Sequence, residues 1–105
     1  MTKKEVRYIL SPSKEDRIVI GFQILKGRIT NFVIQYHSLT EKGWRTIVRY
    51  DTCHNIAHKH VYHYSKRKKD RYLMGRKKDY NEIYTQAYEE ITEKYMKIKE
   101  NYLYT

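Results

Sequence analysis

Alternation of apolar and polar positions runs through the first two-thirds of the chain, and a period of three to four takes over at the end. From Arg17 to Leu25, Ile18, Ile20, Phe22 and Ile24 fall on one side of an extended chain. From Arg28 to His37, Phe32, Ile34 and Tyr36 do the same, with Asn31, Val33, Gln35 and His37 opposite. Successive side chains of a strand point to opposite faces, so both patterns predict strands with one buried face. Val6–Leu10, Trp44–Asp51 and His58–Tyr64 predict further strands. Turns are expected at Ser11-Pro12-Ser13, at Lys26-Gly27, where Gly27 can take a positive φ, and over Ser38–Gly43. Near the end, Tyr84, Ala87, Ile91, Tyr95, Ile98 and Tyr102 lie on one helical stripe, with Glu89, Glu90, Glu93, Lys97 and Glu100 mostly on the other side. Asp79 and Glu82 have the spacing of a capping box. Short connections favour an antiparallel meander. The expected fold is α+β: an antiparallel β-meander of four to five strands with a C-terminal α-helix packed on one face. Strands are expected over residues 5–64, a basic connector over 65–78 and the helix over 79–103.

Composition adds three constraints. A chain of 105 residues with 40% hydrophobic and 14% aromatic content suits a single domain with one modest core. Twelve tyrosines supply much of that apolar area, and each hydroxyl needs a partner or solvent. Cys53 is the only cysteine, which excludes an internal disulfide framework and a thiolate zinc cluster and points to a reducing compartment. Met1 is followed by charged residues and no apolar run reaches the length of a spanning helix, so neither a secretory leader nor a membrane role is expected and the localisation is read as cytoplasmic.

Charge is uneven. The formal net charge is +10, and Lys66, Arg67, Lys68, Lys69, Arg71, Arg76, Lys77 and Lys78 face only Asp70, a local +7. Such density suits a polyanion, with RNA the expected partner, or alternatively an acidic protein; a solvated loop is the plain alternative. Tyr62, Tyr64 and Tyr72 flank the run and could stack on bases. Trp44 reads as a core cap.

Four of the five histidines fall between Asp51 and Tyr64. Strand alternation puts His58, His60, Tyr62 and Tyr64 on one face and Val61 and His63 on the other. Arg45, Arg49 and Asp51 share a face of the preceding strand, so Asp51, His54 and His58 would gather near the turn. Two imidazoles titrating near neutrality can act as base and acid in RNA cleavage without a metal. Arg49 or Lys59 would stabilise the phosphate charge, and Asp51 would orient a histidine. The alternatives are a metal site built from His54, His58 and His60 with Asp51, and half-exposed structural histidines beside a basic surface. A Cys53–His54 pair is a weaker candidate for nucleophilic chemistry. No Walker loop, G-x-G-x-x-G or G-x-S-x-G is present, which leaves nucleotide hydrolysis and serine esterase chemistry without support.

Ile47-Val48-Arg49-Tyr50-Asp51-Thr52-Cys53-His54-Asn55, followed by His58-Lys59-His60, resembles the "V-R-Y-D-T/N-x-H-G" turn and following "H-x-H" or "H-R-D" of small bacterial and archaeal proteins. It is also similar to the TumE-like toxins of toxin–antitoxin pairs. The similarity runs from about Phe32 to His60, with the helix in the corresponding place. It implies a toxin acting on RNA or translation, an antitoxin partner, and Tyr50, Asp51, His54, His58 and His60 at the motif positions. Asn55 replaces the usual glycine, and the basic Lys66–Lys78 insertion departs from the pattern. The combined expectation is a toxin-like RNA-binding protein that works as a metal-independent endoribonuclease, with no cofactor, no metal and a homodimer as one assembly. Its alternatives are a non-catalytic nucleic-acid- or antitoxin-binding module and a metal-binding protein.

Overall fold

A computed structural model describes residues 2–105; Met1, on which the leader expectation partly rests, lies outside them. The chain forms β1 (Lys4–Ser13), β2 (Asp16–Leu25), β3 (Arg28–Thr40), β4 (Gly43–Cys53), β5 (Ile56–Val61), β6 (Asp70–Arg76) and, after a 3-10 turn at Lys77–Asp79, α1 (Tyr80–Leu103). The six strands form one sheet in the order β1-β2-β3-β4-β5-β6, every neighbouring pair antiparallel. The expected class is therefore present, with six strands in place of four or five.

Alternation explains the central strands. Ile18 and Ile20 of β2, Phe32, Ile34 and Tyr36 of β3, and Val48 and Tyr50 of β4 are buried in one core with Ile83, Ala87 and Ile91 of α1. Aromatic edges knit the layers: Phe32 meets Tyr80 and Tyr84 edge-on at 5.7 Å, and Phe22 meets Tyr84 at 5.0 Å. Two hairpin turns carry consecutive positive φ angles, Lys26-Gly27 (54° and 75°) and His54-Asn55 (54° and 64°). That backbone matches the right-handed twist of the flanking strands, and Asn tolerates the left-handed region that glycine would otherwise supply.

Several local expectations change. Ser11–Ser13 and Ser38–Thr40 continue strands, so the turns shrink to Lys14-Glu15 and Glu41-Lys42. The basic connector contains β6, an edge strand whose side chains are mostly exposed. It pairs with β5 and packs Met74 against the core, but Tyr72-Leu73-Met74 shows no alternation from which a strand could be read. At the helix start Asp79 makes no side-chain cap. Asn81 instead accepts a 2.8 Å hydrogen bond from the Ile29 amide through Oδ1 and donates to the Gly27 carbonyl at 3.3 Å. This clamp joins the helix to the β2–β3 turn. Asn81→Ala should lower the unfolding free energy by about 1–3 kcal/mol, read by urea denaturation, because the Ile29 amide loses its partner in a part-buried place.

A buried polar cluster anchors the sheet at the other end. Asp16 accepts hydrogen bonds from Tyr36 (2.5 Å), Ser38 (2.8 Å) and Ser13 (2.5 Å). Burial alone would raise its carboxyl pKa, but these donors and nearby Lys99 outweigh burial and hold it below the ordinary range. No helix among the described residues is long and apolar enough to cross a membrane.

Candidate functional site on the uncovered sheet face

The helix covers one face of the sheet, and the strand registers specify what lies on the other. One cross-strand row reads Arg7, Gly21, Val33, Asp51, His58 and Leu73 from β1 to β6. The next row reads Ile9, Val19, Gln35, Arg49, His60 and Arg71. Arg17, paired with His37, belongs to the same face and lays its guanidinium 3.8 Å over the Trp44 ring. Because the face is uncovered by any element, its polar residues need no apolar alternation, and four arginines can spread along it.

At its centre Arg49, Asp51, His58 and His60 converge. Asp51 Oδ2 lies 2.8 Å from Arg49 Nε, and Asp51 Oδ1 lies 3.4 Å from His60 Nε2. The His58 and His60 rings are 6.2 Å apart between centroids. Neither ring is widely open to solvent: His58 is 9% exposed and the His60 side chain 11%. Arg49 Nε approaches the carboxylate without hydrogen-bond geometry, and His60 Nδ1 is buried with no partner. Burial therefore pushes the His60 pKa down, with Lys69 and Arg49 acting the same way and the Asp51 carboxylate opposing them. A ring-proton NMR titration should give His60 a midpoint below 6.5, and Asp51→Asn should move it lower by removing the one nearby charge that favours imidazolium. A wild-type midpoint at or above 6.5 would contradict this environment.

Other candidates are elsewhere. Tyr50 points to the helix side, wholly buried, and donates to Glu90 Oε1 at 2.9 Å. Lys59, its cross-strand partner, also reaches Glu90, at 2.6 Å, and so does not face the histidines. Arg45 pairs with Ser38, whose side chain bonds Asp16 on the helix side; a bulge opposite Tyr36 and His37 reverses the alternation of β4 between Arg45 and Arg49. His54 occupies the exposed tip of the β4–β5 hairpin, and no hydrogen bond or ion pair links it to Asp51, His58 or His60. Cys53 is exposed beside it. Among the described residues no three His, Cys, Asp or Glu side chains are grouped to hold a metal ion, so the H-x3-H-x-H spacing of His54, His58 and His60 does not become a site.

His63 is structural, bridging Asp70 (2.8 Å) and Thr105 (3.0 Å) beyond the end of β5. Tyr62 and Tyr72 line a hollow with Ile98 and Tyr102 on the helix side, and Tyr64 packs edge-on against Tyr102, so none of the three stacks beside the histidines. The basic run does not form one patch. Lys66, Arg67, Lys68 and Lys69 occupy the β5–β6 loop, where Lys69 lies over Tyr62. Arg71 lies on the uncovered face opposite His60. Arg76 ends β6, and Lys77 and Lys78 follow it, where the Lys77 amide bonds the Asn55 carbonyl. At about 3.3 Å per strand residue the two basic ends are roughly 20 Å apart.

Arg7 and Arg17 join the face without having been singled out in the sequence, and Trp44, expected as a core cap, is instead exposed beneath the Arg17 guanidinium. The polar side of β3, Asn31-x-x-x-Gln35-x-His37, was the available signal; only the pairing register shows which arginines flank it. A family model described as a domain of unknown function, DUF7718, matches residues 1–105. No curated protein and no solved structure matches the chain.

Proposed function

The chain belongs to the DUF7718 family, whose description assigns no activity, and we propose that it binds single-stranded RNA across the uncovered sheet face and cleaves it there without a metal. One observation carries the reading: Arg49, Asp51, His58 and His60 are neighbours on two paired strands of an arginine-bearing face. Arg7, Arg17 and Arg71 would engage phosphates, as guanidinium groups do, with affinity falling as salt rises. Arg49 would face the phosphate at the cleaved bond. His60, kept neutral by its burial, would take the 2′-hydroxyl proton, and His58 would deliver one to the leaving 5′-oxygen. Asp51 would orient His60 and favour the imidazolium that forms. The products are a 2′,3′-cyclic phosphate and a free 5′-hydroxyl, with the proton balance closed by the two imidazoles.

The similarity of Ile47–Asn55 to TumE-like toxins extends the proposal to a toxin with an antitoxin partner. A second reading, RNA binding without cleavage, has its own support: both imidazoles are nearly closed off from solvent. Incubating labelled single-stranded RNA with the protein in EDTA separates the two. Fragments ending in a cyclic phosphate, absent with His58→Ala and His60→Ala, support cleavage. Salt-sensitive binding with intact RNA supports the second reading, and no binding at low salt sinks both.

A further inference from the structure

Beside the Arg49–Asp51 pair the uncovered face dips into an open cavity of about 230 Å³. This is below the roughly 300–1,000 Å³ of pockets for drug-sized ligands and suits a fragment the size of one base. Gly21 is one of its lining residues. Gly27, Gly43 and Gly75 have positive φ, but Gly21 does not, so its backbone would accept any side chain. A glycine inside a strand sacrifices stability and packing, and such positions mark the close approach of another group. A Cβ at Gly21 would lie 3.4 Å from Val33 Cγ1 and 3.6 Å from Arg7 Cγ, so a larger side chain would grow into the hollow.

The walls are chemically suited to a nucleobase. Asn31 Nδ2 donates to Gln23 Oε1 at 2.9 Å. That bond leaves the Gln23 amide nitrogen and the Asn31 Oδ1 without other partners among the described residues, a donor and an acceptor side by side. Paired donor and acceptor groups from amide side chains can read one edge of a base. Arg7, held by Glu5 at 2.8 Å, adds a planar guanidinium at the rim on which a base can stack. Asp51, on the same cross-strand row as Gly21, is two strands away, about 10 Å at the usual strand spacing.

We propose that this hollow over Gly21 is a base-selecting subsite, in which Gln23 and Asn31 read the base of a nucleotide adjoining the phosphate at Arg49, His58 and His60. It rests on the RNA reading above and adds specificity to it. The test uses fluorescence polarisation with the full chain and four labelled 2′-O-methyl homo-oligonucleotides, of A, C, G and U, which cannot form a cyclic phosphate and so stay intact. The wild type should prefer one base by about 5- to 100-fold, the span expected of one good amide–base pair. Gln23→Ala should bring all four oligonucleotides close to the affinity of the least favoured one. Gly21→Val, which blocks the hollow and leaves the amides in place, should do the same, with thermal melts confirming that both variants are folded. Equal wild-type affinities for the four, or a preference that survives in either folded variant, would overturn the subsite while leaving RNA binding intact. Failure of every oligonucleotide to bind would remove the RNA reading, and the subsite with it.

Discussion

His60→Ala is expected to reduce RNA cleavage by about 10²–10⁴-fold, the usual contribution of a positioned general base. RNA affinity at fixed salt should fall much less, because Arg7, Arg17 and Arg71 on the same face remain. The split between rate and affinity follows from the geometry. His60 meets Asp51 at 3.4 Å and stands opposite Arg71, but it supplies no permanent charge to the face. Burial lowers its pKa, so the neutral ring predominates at pH 7 and cleavage should decline as pH falls through that lowered value. Single-turnover rates across pH, measured beside binding by filter retention, check both halves. Unchanged cleavage by folded His60→Ala would refute the acid–base assignment. Equal losses in rate and affinity would recast His60 as a binding residue.

Tyr50→Ala should destabilise the fold by about 3–5 kcal/mol, the range for truncating a large buried aromatic side chain. Tyr50→Phe, by contrast, should leave the cleavage rate within about twofold and lower stability by roughly 1 kcal/mol through the lost hydroxyl bond. Tyr50 is fully buried, and its hydroxyl donates to Glu90, which Lys59 also engages. Burial, and then the neighbouring Glu90 carboxylate, raise the phenol pKa, so the ring stays protonated across the working range. Glu90 responds oppositely: burial would raise its pKa, but the Lys59 and Tyr50 donors outweigh it and hold the carboxyl low. Chemical denaturation measures the stability change, and the RNA assay measures the rate. A Tyr50→Phe protein that is folded and inactive would restore Tyr50 to the chemistry, as its place in the sequence motif implies.

Tyr50 and Asp51 are consecutive in the sequence, yet they serve opposite faces of the sheet. In β4 the chain alternates, so Tyr50 is buried against α1 while Arg49 and Asp51 face away. A motif written as consecutive letters merges core and surface unless the strand period is applied to it. Applying that period recovers Asp51, His58 and His60 as co-facial. It misplaces Arg45, because a bulge between Arg45 and Arg49 inserts a residue into the count. It also misplaces His54, which leaves the strand at the hairpin tip.

By itself the sequence determined the class of fold, the central strands, the helical stripe and the neighbourhood of the histidines, because those features repeat with the periods of regular backbone. Only the tertiary structure decided which residues share the uncovered face. Arg7 joins the cross-strand row of Asp51, and Arg71 that of His60, through hydrogen-bond register between strands distant in the chain. The Lys66–Lys78 run, continuous in sequence, is divided by β6, since an extended strand carries its ends apart. Local period sets which side chains alternate; pairing between distant strands sets which of them meet.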